Sequence, residues 1–135
     1  MLVWDQSYSV GNTVLDRHHA RLFDLVNKVT KYQDEVDSNR KQIDAEHVHE
    51  LLNDIADFAA VHFEYEENVL EGVDWPELGQ QQAEHTEFIE ILVNMLVEGI
   101  KGKVCLANIQ NFLKDWLLEH VLIQDMKYKE VFDKG

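Results

Sequence analysis

The sequence predicts an all-α fold, an up-down-up-down four-helix bundle with an N-terminal arm. Three observations carry that prediction. Apolar residues recur at helical spacing along almost the whole chain. One proline and six glycines leave few places to break a helix. The polar gaps between periodic stretches are short, which favours antiparallel neighbours. The 135 residues fit a single domain, 1–135, large enough to bury a core.

The elements follow in order. Residues 1–15 read as an irregular arm. The first helix is expected from Asp16 to Asp37, with Leu15, His19, Leu22, Phe23, Val26 and Val29 on one face. SNRK at 38–41 is a loop, and Asp44 is placed to cap a second helix that continues to Glu71. The stripe of that helix is Val48, Leu51, Leu52, Ile55, Phe58, Ala59, His62, Glu66, Val69 and Leu70. Gly72 and VDWP end it, and Asp74 with Glu77 resembles a capping box for the third helix. The third helix lays Gln81, His85, Phe88, Leu92, Met95 and Leu96 along one face, up to the glycines at 99 and 102. The fourth is expected from Val104 to Phe132 through Ile109, Phe112, Leu113, Trp116 and His120.

Composition narrows the function classes. A net charge of -14 with no cluster of Lys or Arg argues against nucleic acid as a partner, because phosphate binding needs a basic face. A single cysteine, Cys105, excludes an intrachain disulfide, fits a reducing compartment and reads as a buried apolar filler. MLVWDQSYSV lacks the basic and long apolar regions of a signal peptide, and no apolar run reaches membrane-spanning length. The expected location is the cytoplasm, with no membrane partner.

The informative residues are the polar ones within the apolar stripes. His62 and Glu66, spaced i and i+4, both point inward from adjacent turns. A buried carboxylate without a counter-charge costs several kcal/mol, roughly. No lysine or arginine lies on the facing stripes to supply one, so a metal ion is the economical cation. The first helix adds His19, the third His85, and the fourth His120 followed by Asp125. Four imidazoles and two carboxylates suit iron and, less selectively, manganese or zinc. Two carboxylates among four histidines suggest two metals with carboxylate bridges. No thiolate takes part, which argues against an iron–sulfur cluster or a zinc knot.

One spacing departs from an ideal helix. His120 and Asp125 lie five residues apart, roughly 140° around the axis, and a local π-turn would bring them onto one face. Other candidates are weaker. His18 lies off the stripe and reads as solvated or as supporting a ligand from outside. Glu46 and His49 form a Glu-x-x-His pair, but they sit beside the stripe and with His47 read as a surface patch. Glu67 points away from His62, and Trp116 and Tyr65 read as core aromatics. There is no Gly-rich phosphate loop and no Ser–His–Asp arrangement.

The pattern resembles the hemerythrin family, particularly the bacterial hemerythrins. The resemblance runs through VWDQSYSVGNTVLDRHHARLFDLVN, HFEYEE, WPELGQQQAEHTEF and WLLEHVLIQD, nearly the whole chain. The family's ligand order is a histidine on the first helix, H-x-x-x-E on the second, H-x-x-x-H on the third and H-x-x-x-x-D on the fourth. Carried over, it implies His19, His62, Glu66, His85, His120 and Asp125 as metal ligands. Gln81 stands at the position of one usual histidine, as a weak ligand or a hydrogen-bond partner of water.

The resemblance implies two iron ions joined by an oxo or hydroxo bridge, with O2 as ligand. In the family one iron takes three histidines and the other two, and the glutamate and aspartate bridge both. Here His19 and His62 would serve one iron, leaving His85 and His120 on an iron short of one nitrogen. An exchangeable position on each metal would admit water, peroxide or nitric oxide and speed oxidation. The expected function is therefore an oxygen or redox sensor, in a domain that stands alone or forms a segment of a longer signalling protein. The alternatives are a di-iron oxidase or peroxidase and an oxygen carrier or storage protein. A bundle whose polar core residues pair among themselves is the plainest rival.

Overall fold

The computed structural model describes residues 1–103 and 105–133. Helix α1 spans Thr13–Asp37, three residues earlier than the periodicity suggests. Asn12 is its N-cap, and the Asn12 side-chain oxygen accepts from the Leu15 N–H at 3.0 Å. Asp16 instead ties down the arm, accepting from the Val10 N–H at 2.9 Å and from the Ser9 hydroxyl. Further out, Leu2 and Asn27 exchange two hydrogen bonds of 2.8 and 2.7 Å. Trp4 packs edge-on against Phe23. The arm is thus a strap held across α1.

Helix α2 spans Ala45–Gly72 and is capped as expected, the Asp44 carboxylate accepting from the Glu46 N–H at 3.0 Å. The expected Asp74–Glu77 capping box does not form. Asp74 sits in the left-handed region at φ 53° and turns the chain. Helix α3, Leu78–Ile100, starts four residues later with Glu77 as a cap whose side chain makes no capping bond. Gly102, at φ 80°, reverses the chain after α3.

The expected start of the fourth helix, Val104, lies outside the described residues. Helix α4 spans Leu106–Glu119 with Cys105 as N-cap, and Cys105 is exposed rather than a buried filler. A capping position lies outside the helix's apolar stripe, so nothing buries its side chain. The segment beyond α4 is not a continuation of the α-helix. A π-turn covers His120–Gln124, a 3-10 turn Asp125–Tyr128, and a short α5 Lys129–Asp133. The π-turn is where the five-residue spacing places it.

Helix α2 packs against α1 and α3, and α4 packs against α1. Phe88 of α3 stacks on Trp116 of α4 at 4.2 Å between ring centroids. Two apolar clusters result. The larger runs from Leu22 to Tyr32 on α1 and takes in Leu52, Ile55, Phe63, Phe88, Leu92, Leu113 and Leu117. The smaller, Val10, Leu15, Leu70 and Tyr128, closes the other end. Along α1 and α2, the chemistry-bearing residues lie between the two clusters. No helix among the described residues is long and apolar enough to cross a membrane.

Leu113 is fully buried in the larger cluster. Leu113→Ala should therefore destabilise the metal-free protein by about 2–5 kcal/mol through lost transfer energy and a residual cavity. Cys105→Ser, at an exposed cap, should change stability by less than roughly 0.5 kcal/mol. Urea denaturation of both variants measures the difference, and a large loss for Cys105→Ser would contradict the placement of that residue.

Candidate metal centre

The structure brings all seven singled-out residues into one buried layer. His19, Glu66 and Asp125 are fully buried, and His62, Gln81, His85 and His120 are nearly so. Each histidine turns Nε2 inward. The Glu66 carboxylate divides its two oxygens between two histidine pairs. Oε2 lies 3.4 Å from His19 Nε2 and 3.1 Å from His62 Nε2, while Oε1 lies 3.1 Å from His85 Nε2 and 3.8 Å from His120 Nε2. Asp125 does the same, with Oδ2 3.1 Å from His19 Nε2 and Oδ1 3.2 Å from His120 Nε2. The π-turn makes this possible, because it rotates Asp125 onto the face of His120.

These contacts differ from ordinary ion pairs. Glu66 Oε1 and Asp125 Oδ2 each lie 3.1 Å from an imidazole nitrogen, yet neither oxygen has a partner in hydrogen-bond geometry. These two oxygens face a shared space rather than a hydrogen-bond donor. Ligands about 2.1 Å from one ion and at right angles would lie about 3 Å apart. Two sets of donor atoms gather closely enough to hold an ion: His19, His62, Glu66 and Asp125, and then Glu66, His85 and His120. The donor set and its spacing fit a pair of metal ions.

Electrostatics point the same way. Burial opposes a charged ring at His19, but the Asp125 and Glu66 carboxylates outweigh it and raise its pKa to about 9. At His120 burial is likewise outweighed, chiefly by the charge of Asp125, and the pKa rises to about 10. Burial would raise the pKa of Glu66 and Asp125, yet the surrounding imidazoles bring both below the ordinary carboxylate value. His62 is the exception, burial pushing its pKa down. Buried negative charge here demands positive charge, and protons supply it where a metal does not.

Gln81 belongs to the layer. Its amide Nε2 donates to Asp125 Oδ1 at 3.0 Å, while its own Oε1 is buried without a partner. Its amide donor is thus committed to a carboxylate. Gln80 and Gln82 are exposed.

The surrounding side chains include several that sequence reasoning missed. Tyr128, fully buried, donates its hydroxyl to Glu66 Oε2 at 3.2 Å, and burial raises its pKa well above the ordinary value. Its only signal is its place three residues after Asp125. Glu67 does point away from His62, but its Oε2 accepts from His85 Nδ1 at 2.9 Å. Half-buried His18 sits against His62, the two Nδ1 atoms 2.9 Å apart. Phe63 stacks on the His85 ring at 3.9 Å and Trp116 on the His120 ring at 4.4 Å. Tyr65 is exposed at the rim beside His18 rather than a core aromatic. Glu46 and His49 are exposed and away from the layer, as expected for a surface patch.

Residues 10–132 match the family model described as the Hemerythrin HHE cation binding domain. The chain belongs to the hemerythrin family. A hemerythrin-like protein of Naegleria gruberi is 32% identical over 95% of this chain and 91% of its own length. A bacteriohemerythrin of Clostridium acetobutylicum is 26% identical over 95% and 98%. A wild-type hemerythrin crystal structure superposes with a TM-score of 0.82 over 98% of both chains, at 19% identity, which establishes the hemerythrin fold.

The pKa shifts set a pH dependence for the metal-free protein. His19 and His120 keep protons when folded that they release near 6.5 when unfolded. Their stabilisation is complete below pH 6.5 and lost as pH rises toward 9 and 10. His62, with its folded pKa depressed, costs stability as pH falls below 6.5. The contribution of the layer should therefore peak near pH 6.5. Urea midpoints of chelator-treated protein across this range test it, and a midpoint that rises steadily to pH 9 would contradict the pairing.

Proposed function

We propose that this hemerythrin domain holds two iron ions, joined by an oxo or hydroxo bridge, binds O2 and reports oxygen or redox state. The observation that carries the reading is the division of both buried carboxylates between two histidine pairs. His19 and His62 would hold one ion and His85 and His120 the other, with Glu66 and Asp125 placed to reach both sides. Imidazole with carboxylate, leaving positions open, is the donor type of non-haem oxygen-handling iron. The relatives named bacteriohemerythrin and hemerythrin-like protein support the same reading.

When bound, the iron pair supplies reversible O2 capture and one-electron redox chemistry. The chain's own residues do the rest. Phe63, Trp116 and the apolar clusters above and below the layer exclude bulk water. Tyr128 fixes Glu66 by hydrogen bond, and Gln81 fixes Asp125. Because the Gln81 N–H is turned to Asp125, residue 81 brings no nitrogen to the His85 and His120 side. With iron bound, each metal would then keep an exchangeable position, which would admit peroxide or nitric oxide as well as O2. Such a domain oxidises too readily for storage, which favours sensing and a fused or associated signalling output.

Protein reconstituted anaerobically should carry two irons per chain, and Glu66→Ala should lose most of them while exposed His49→Ala keeps both. Metal analysis measures this, and an iron-free parent would sink the di-iron reading. Gln81→His places an imidazole one turn from His85 and should slow oxidation of the ferrous protein by air or peroxide by about tenfold or more. Stopped-flow absorption compares the two; equal rates would end the open-position argument.

A further inference from the structure

The outer nitrogens of the four histidines divide unevenly. With Nε2 turned inward, each Nδ1 faces away from the centre. His85 Nδ1 donates to the Glu67 carboxylate at 2.9 Å, and His120 Nδ1, which makes no hydrogen bond, has the Glu84 carboxylate 3.8 Å away. On the other side His62 Nδ1 meets only another imidazole, His18, and His19 Nδ1 has no partner. Both outer carboxylates therefore lie behind the same histidine pair. That pair is also the one to which residue 81 contributes no imidazole.

A carboxylate accepting from an imidazole N–H draws the proton outward and makes the opposite nitrogen a stronger donor. The effect favours the more highly charged state of whatever ion that nitrogen holds. Phe63, stacked on the His85 ring at 3.9 Å and 5° between planes, fixes the ring so that Nδ1 stays on Glu67. We infer that Glu67, acting through His85, tightens metal binding and lowers the reduction potential at the His85/His120 position, offsetting the nitrogen that Gln81 does not supply. Glu67 is a positioning residue here, for it touches a ligand and not the metal. The inference rests on the two-metal reading above.

The test is anaerobic titration of metal-free protein with Fe2+ against a competing chelator, followed by potentiometry of the loaded protein. The parent should bind two ions. Glu67→Gln keeps an oxygen acceptor but removes the charge, and should weaken one of the two ions by about 10–100-fold. The weakened ion should be the one whose binding His85→Ala abolishes. One reduction step should rise by about 59 mV for each tenfold weakening of ferric over ferrous binding. Glu67→Ala should shift both readouts further, and Glu64→Gln, an exposed acid of the same groove, should shift neither.

If the parent takes up two ions and Glu67→Gln matches it in affinity and potential, this inference is overturned while the two-metal reading stands. A shift in Glu67→Ala alone would reduce Glu67 to a steric and hydrogen-bonding support, and the charge argument would fail. A parent that binds fewer than two ions overturns the two-metal reading, and this inference with it.

Discussion

Two carboxylates buried at the centre of the bundle set the terms for everything around them. Glu66 and Asp125 are fully shielded from water, and among the described residues no lysine or arginine pairs with them. A buried charge of this kind survives only with a cation close by or a shifted pKa. The fold answers with four imidazoles, one from each of α1, α2 and α3 and one at the start of the π-turn. An imidazole can carry a proton or hand its lone pair to a metal, so the same layer is stable with either cation. Lysine in those places would neutralise the charge permanently and leave nothing to coordinate.

The geometry of the layer depends on helix phase more than on any loop. Along α1 and α2, the stripe that packs the core also delivers the ligand atoms, so burial and coordination are one pattern. The fourth helix cannot deliver both its residues at regular α spacing. The π-turn inserts the missing rotation, and Tyr128 in the following 3-10 turn then reaches Glu66. A local irregularity in backbone hydrogen bonding thus carries a side chain across the bundle.

This explains what was legible in the sequence. The four helices, the burial of His62 beside Glu66 and the anomaly at His120–Asp125 follow from period alone, because a stripe records which face is inward. The misreadings share a different cause. Cys105, Asp74 and Glu77 sit at helix ends, where the direction of the chain and not its period decides exposure. Tyr65, read as a core aromatic, sits at the edge of its stripe, as do Glu67 and His18, whose partners the sequence does not name. Whether such a residue faces water or a neighbouring ring depends on how far one helix is rotated against the next, which a single stripe does not encode. Period therefore finds the centre of a bundle site and loses its rim.

Gln81 shows how a centre can keep its shape while its chemistry changes. An amide is neutral and polar, and left unpaired in this layer it would cost roughly 1–3 kcal/mol. Its donor is accommodated because Asp125 Oδ1 accepts from Nε2, while its Oε1 stays without a partner. The same bond helps to hold the Asp125 carboxylate in place, so residue 81 contributes orientation to the layer. Without that amide donor Asp125 would be positioned by His19 and His120. The amide thus ties residue 81 to both halves of the centre at once, through the carboxylate they share. What tells the two histidine pairs apart is the pair of outer carboxylates, Glu67 and Glu84, behind His85 and His120.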